Sequence, residues 1–156
     1  MEDAGKYFQE EIHFTPQTTL YILAPRHWSA IAAPALKEVY GFPHNIDHVR
    51  LAIAAEDNDF WRSFLPLIDQ LPPATVADVN KAYRNADGTY SMMPFFDLLA
   101  LHEMGHSYTA QAGLKMHRKW MGELFCKHYV AHFCCGKATC TFTCLRNLSQ
   151  YGNKRR

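Results

Sequence analysis

The sequence predicts a mixed α+β fold, in which short strands and helices precede two longer helices. Residues 18–23 are rich in β-branched and aromatic side chains, and residues 48–54 alternate between two faces, so both segments have the pattern of strands. Residues 94–112 and 120–133 consist largely of helix formers and contain no proline beyond Pro94 in the first turn. Both kinds of pattern in one chain indicate the α+β class.

Helix-boundary residues divide the first half of the chain further. Pro34 suits the first turn of a helix and Gly41 its end, which predicts a short helix over residues 35–40. Asp57 or Asn58 can cap the next helix, because a short polar side chain at this position accepts a hydrogen bond from the first turn. These boundaries predict helices between and after the two strands.

The segment that leads to residue 94 is predicted to hold a helix and a turn. Residues 75–78, Thr-Val-Ala-Asp, have the form of a capping box that opens a helix. Residues 85–88, Asn-Ala-Asp-Gly, form a predicted turn, and residues 89–92 follow it as a short extended segment. Gly113 is expected to end the long helix that starts at Pro94, since glycine favours the left-handed conformation of a C-terminal cap.

The pentapeptide His-Glu-Met-Gly-His at positions 102–106 carries the strongest functional signal. Residues four apart lie on one face of a helix, so the imidazoles of His102 and His106 can converge on one metal ion. Glu103 then projects beside the metal, where it can take a proton from a metal-bound water. The pattern indicates hydrolysis of a peptide or amide bond; the alternative is a structural helix with two incidental histidines.

A third ligand is needed, because catalytic zinc usually has three protein ligands and one open position. The extended metzincin motif requires Gly and His at the positions of Thr109 and Ala112, which excludes that family. Glu123 is the only acidic residue after the motif and lies on the helix predicted over residues 120–133, so it is the predicted third ligand. Two histidines remain as alternatives, His117 and His128.

The motif, followed by Trp-Met-Gly-Glu-Leu-Phe at positions 120–125, resembles the gluzincin metallopeptidases, the zincins of the thermolysin and aminopeptidase kind. The resemblance covers residues 98–129. It implies a zincin-like fold with an active-site helix, a second ligand-bearing helix and a small sheet whose edge strand holds the substrate. It also implies a role for each site residue: zinc ligands His102, His106 and Glu123, and general base Glu103.

Further parts of the site follow from the same resemblance. Gluzincins of the thermolysin kind often carry an Asp four residues after the ligand Glu, and Lys127 stands there in this chain. Residues 89–92 or 49–54 are the candidates for the edge strand that pairs with an extended peptide. Donors that could stabilise a developing oxyanion are His117, His128, Tyr129 and His132.

Length and composition bound the organisation of the protein. The 156 residues suffice for one domain, which we place at residues 1–135, followed by a basic, cysteine-containing tail at residues 136–156. No segment approaches the roughly 20 apolar residues of a membrane-spanning helix, so no membrane partner is expected. The acidic start differs from a secretory signal, which predicts a cytoplasmic protein.

Charge and cysteine are distributed unevenly along the chain. All 15 acidic residues lie at or before Glu123, whereas 6 of the 16 basic residues follow it. The basic end has no recognisable nucleic-acid motif, so a solvated tail without a nucleic-acid partner is predicted. The odd cysteine count predicts reduced thiols at Cys126, Cys134, Cys135, Cys140 and Cys144. The alternative is a structural zinc site formed by Cys140 and Cys144 together with Cys134 and Cys135.

The sequence therefore predicts a zinc metallopeptidase that uses Zn²⁺ and takes a peptide or protein as its substrate. The alternative is a non-catalytic metal-binding or interaction protein that retains a zincin scaffold.

Overall fold

The computed structural model describes residues 5–7, 9–10, 13–63, 68 and 70–136. Over this part of the chain the structure is mixed α+β with a small three-stranded sheet, which confirms the predicted class. The strands are β1 (Thr19–Leu23), β2 (His44–Asn45) and β3 (Arg50–Ala54). The helices are α1 (Pro25–Ile31), α2 (Asp59–Arg62), α3 (Pro73–Tyr83), α4 (Met93–Gln111) and α5 (Lys119–Gly136), with a 3₁₀ turn at Pro34–Leu36.

The sheet has the order β1-β3-β2, with β3 in the centre. β1 runs parallel to β3, with Thr19 opposite Arg50, and β2 runs antiparallel to β3, with His44 opposite Ala52. Every residue of β3 after Arg50 is buried, so both faces of this strand are covered. The sequence correctly predicts a strand here, but its alternation does not correspond to one buried and one exposed face.

The sheet lies between two layers of helix. Leu51 and Ile53 of β3 pack against α4 and α5, where the core continues through Met104, Tyr108 and Tyr129. Ala52, which lies between these two residues in β3, belongs to a second buried cluster on the opposite face of the sheet, where α1 packs. The other members of this cluster are Leu23, Trp28 and Ala32. The period of two along a strand thus sends successive side chains of β3 into different layers.

The two long helices agree with their predictions. α4 begins at Met93 with Pro94 in its first turn and ends at Gln111. Gly113 has a φ of +68°, the left-handed conformation expected after a helix end. α5 contains the whole segment predicted as helical, residues 120–133. Asn58 also caps α2 as predicted, because its side chain accepts a hydrogen bond from the backbone N–H of Trp61.

Other helix predictions are wrong. Residues 35–40 form no α-helix beyond the 3₁₀ turn at Pro34–Leu36, and α1 precedes them instead. The indole Nε1 of Trp28 in α1 donates to the carbonyl of Leu36, a tertiary contact that local boundary signals do not reveal. The helix predicted to open at residues 75–78 is present as α3, but its start is wrong, because α3 begins at Pro73 and Thr75 is buried within it and forms no capping box.

Both predicted edge strands are also wrong. Residues 49–54 supply β3, which is the central strand, and residues 89–92 form only an isolated bridge between Arg84 and Tyr90. Among the described residues, the strand at the sheet edge beside α4 is β2. None of the described helices has both the length and the apolar character required to span a bilayer. Most of the predicted tail, residues 137–156 with Cys140 and Cys144, lies outside the described residues.

α4 and α5 pack unusually closely at Gly105. A Cβ atom added there would lie 3.0 Å from the Sγ of Cys126 and 3.3 Å from its Cα, both tighter than ordinary contact. On the facing helix, a Cβ atom added at Gly122 would lie 3.9 Å from Met116 and 4.0 Å from His106, which is ordinary contact. The two glycines therefore differ in whether the helix pair can accept a methyl group.

Gly105→Ala is expected to lower the free energy of unfolding by about 1 kcal/mol, because an overpacking cost of about 2 kcal/mol exceeds a helix-propensity gain of about 1 kcal/mol. Gly122→Ala, the matched control, gains the propensity with no overlap and is expected to leave stability unchanged or raised. Urea denaturation of both variants measures the difference. Equal stabilisation of both would show that the helices are not held at this distance.

Candidate metal centre

Three side chains from the two long helices converge at one point. α4 presents His102 and His106 from successive turns, and α5 presents Glu123 from its second turn. The two imidazole Nε2 atoms are 3.1 Å apart. The Glu123 carboxylate spans both, with Oε2 at 3.2 Å from the Nε2 of His102 and Oε1 at 3.3 Å from that of His106. Among the described residues, this is the one group of three or more His, Cys, Asp or Glu side chains that could hold a metal ion.

The spacing of the two imidazole nitrogens suits tetrahedral coordination. Ligand atoms at about 2.0 to 2.1 Å from a metal ion lie about 3.3 Å from one another when the angles are tetrahedral. The two Nε2 atoms, 3.1 Å apart, are close to this separation, and the potential ligand atoms of all three residues lie within 4.8 Å of one another. The side chain of His102 is 15% exposed and that of Glu123 is 52% exposed, so the group opens to solvent on the α5 side. The arrangement can hold one ion with three ligands and leave a position for water.

The protonation state of His102 agrees with a ligand role. Burial lowers the pKa of His102, the charge of His106 lowers it further, and the Glu123 carboxylate opposes both. A lower pKa favours the neutral imidazole, which is the form that binds metals. Lys127 also contributes to the lowered pKa of His102, so the lysine in place of the expected Asp lies near enough to disfavour a charged imidazole.

Glu103 lies beside this group without joining it. Its Oε2 accepts a hydrogen bond from the Nδ2 of Asn45 at 3.0 Å. Burial raises the pKa of Glu103 to about 7, the charge of Glu123 acts in the same direction, and the hydrogen bond from Asn45 opposes it. A metal ion would oppose the shift as well, because a cation favours the charged carboxylate. A carboxylate in this place can accept and release a proton near neutral pH.

The competing residues do not enter the group. His117 lies exposed between α4 and α5, and His128 is exposed on α5. Tyr129, a predicted oxyanion donor, is buried in the core beside Tyr108. The side chain of His132 lies outside the described residues.

Asn45 is the site residue that the sequence analysis does not identify. It belongs to the two-residue strand β2, which is too short to produce a period of two. Its contact with Glu103 joins residues 58 apart in the chain, so no local signal marks it.

Comparison of the chain with models of protein families, with curated proteins and with solved structures finds no match. The proposals below therefore rest on the motif and on the geometry of the site.

The purified protein is expected to hold about one metal ion per chain, and His102→Ala or His106→Ala should abolish this binding. Glu123→Gln should weaken it, because the amide lacks the charge of the carboxylate. Elemental analysis after dialysis, with zinc titration of the stripped protein, measures both effects. His117→Ala is the control and should bind like wild type. Stoichiometric metal in a variant that lacks both motif histidines would contradict the assignment.

Proposed function

We propose that this protein is a zinc-dependent peptidase with a zincin-like fold, similar to the gluzincins. The observation that carries the proposal is the convergence of His102, His106 and Glu123, whose potential ligand atoms lie within 4.8 Å of one another, with the Glu103 carboxylate next to them. Two imidazole nitrogens and one carboxylate oxygen form a ligand set that is well known for catalytic zinc. When bound, zinc would lower the pKa of a coordinated water from about 16 to about 7 and polarise the substrate carbonyl.

Glu103 supplies the proton transfers in this proposal. Its carboxylate takes a proton from the attacking water as the water oxygen bonds to the carbonyl carbon of the peptide. It then delivers this proton to the nitrogen of the leaving amine as the carbon–nitrogen bond breaks. The place of Glu103 supports both steps, because it follows His102 directly on α4 and lies close enough to Glu123 for their charges to interact.

β2 is the proposed binding edge for the substrate backbone. It is the edge strand next to α4, and its Asn45 touches Glu103 directly. An extended peptide that adds to this edge gains main-chain hydrogen bonds that do not depend on its sequence. A peptide or protein in an extended conformation is therefore the proposed substrate.

The second candidate is a non-catalytic protein that binds a metal on the same scaffold. Lys127 favours this alternative, because an acidic partner of a metal-bound His typically improves affinity or activity by about 10 to 100-fold. Its positive charge near His102 supplies no such acceptor. The two candidates bind metal alike and differ in whether Glu103 has a chemical role.

Glu103→Gln separates them. The change keeps the shape of the side chain and removes its basic oxygen, so zinc and fold should remain while peptide hydrolysis falls by at least about 10²-fold. Cleavage of a mixed peptide library, followed by mass spectrometry with and without a chelator, measures the loss.

Glu38→Gln is the control, because it replaces the same carboxylate by the same amide at an exposed position outside the site. It should cleave like wild type. If wild type shows no chelator-sensitive cleavage, or if Glu103→Gln cleaves equally fast, the peptidase proposal is wrong and the scaffold alternative replaces it.

A further inference from the structure

We propose that Asn45 is a positioning residue, which holds the Glu103 carboxylate in one orientation beside the metal-binding group. The inference rests on the proposed function, since it assigns Asn45 a role that acts only through Glu103. If Asn45 has this role, then β2, the shortest strand of the sheet, helps α4 to position the Glu103 carboxylate.

The Asn45 side chain contacts Glu103 at two points. Its Nδ2 donates one hydrogen bond to the Glu103 backbone carbonyl at 2.9 Å and another to Oε2 of the side chain at 3.0 Å. Both hydrogens of the amide group are used on one residue. The backbone bond fixes the amide relative to α4, so the second bond fixes the carboxylate relative to the same helix.

The orientation of the Asn45 amide is determined by this geometry. A backbone carbonyl can only accept, so the amide must turn its NH₂ group, and not its oxygen, toward Glu103. The Oε2 atom of Glu103 is consequently held as an acceptor. This contact, together with the bond to the backbone carbonyl, limits the rotation of the carboxylate relative to α4.

β2 is held firmly enough for this role. His44, the neighbour of Asn45, is buried with both ring nitrogens engaged, Nδ1 with the carbonyl of Phe42 at 2.7 Å and Nε2 with the backbone N–H of Ala33 at 3.0 Å. Its ring also packs edge-on against Trp28. Since successive strand residues point to opposite faces, His44 anchors one face of the sheet while Asn45 reaches α4 from the other.

An unpaired atom argues against a purely structural role. The Oδ1 of Asn45 is buried and accepts no hydrogen bond within the described part of the chain. A buried acceptor without a partner lowers stability, and an apolar residue of similar size would join β2 to α4 without this cost. The amide is explained by what its NH₂ group does for Glu103.

Asn45→Ala and Asn45→Asp test the proposal in the zinc-loaded full-length protein. Both variants should keep about one zinc per chain, and kcat for peptide cleavage should fall about 10 to 100-fold while KM changes less than about threefold. Asn45→Asp should lose more, because it is isosteric but places a second carboxylate against Glu103.

Ser107→Ala is the matched control for structural effects. The Ser107 hydroxyl is also buried on α4 and donates to the carbonyl of His48 in the turn between β2 and β3. Its other hydrogen-bond partners are Thr18 and Gln111. Ser107→Ala should lower thermal stability about as much as Asn45→Ala does and leave kcat unchanged. Loss of zinc in Asn45→Ala, or an equal loss of kcat in Ser107→Ala, would overturn the positioning role in favour of a structural one.

A double-mutant cycle completes the test. If Asn45 acts through Glu103, then Asn45→Ala added to Glu103→Gln should reduce kcat no further. If the double variant loses the product of the two single losses in kcat, this inference is wrong and the peptidase proposal stands. The same holds if Asn45→Ala has the kcat of wild type. A wild-type protein without chelator-sensitive cleavage would overturn both proposals, so the two failures are distinguishable.

Discussion

The close approach of α4 and α5 is the constraint on which the site depends. Glu123 is one helical turn before Cys126, and Cys126 packs on the bare backbone of Gly105, next to His106. Because Gly105 has no side chain, α5 can come near enough for the Glu123 carboxylate to reach both histidines. The motif alone places two imidazoles on one helix, and the glycine within it admits the third member of the group.

The parts of the structure that the sequence predicted are those set by local spacing. His102, Glu103 and His106 are related by helical geometry alone, and the 19-residue helix α4 has clear signals at both ends. Glu123 could be selected because no other acidic residue follows the motif. The fold class follows from the same local patterns, since strand-like and helix-like periods are properties of short segments.

The parts that the sequence did not predict depend on contacts between distant segments. Strand order is one of them, because the pattern of residues 49–54 shows a buried strand but not whether it is central or at an edge. β2 is another, since its two residues are held by partners such as Ala33 and Glu103 and not by a periodic pattern. The sequence analysis also misses α1, whose one buried residue, Trp28, packs against Leu23 and Ala52 of the sheet.

Charge provides the remaining argument for a cation in this place. Burial raises the pKa of Glu103, and the negative charge of the nearby Glu123 raises it further. His102 does not balance this charge, since burial lowers its pKa and favours its neutral form. A divalent ion among the ligand atoms would offset both carboxylates and favour the neutral imidazoles at once. A charged Glu103 and a neutral His102 are thus both favoured around a cation, and the Asn45 amide adds a hydrogen-bond donor to Glu103 without adding charge.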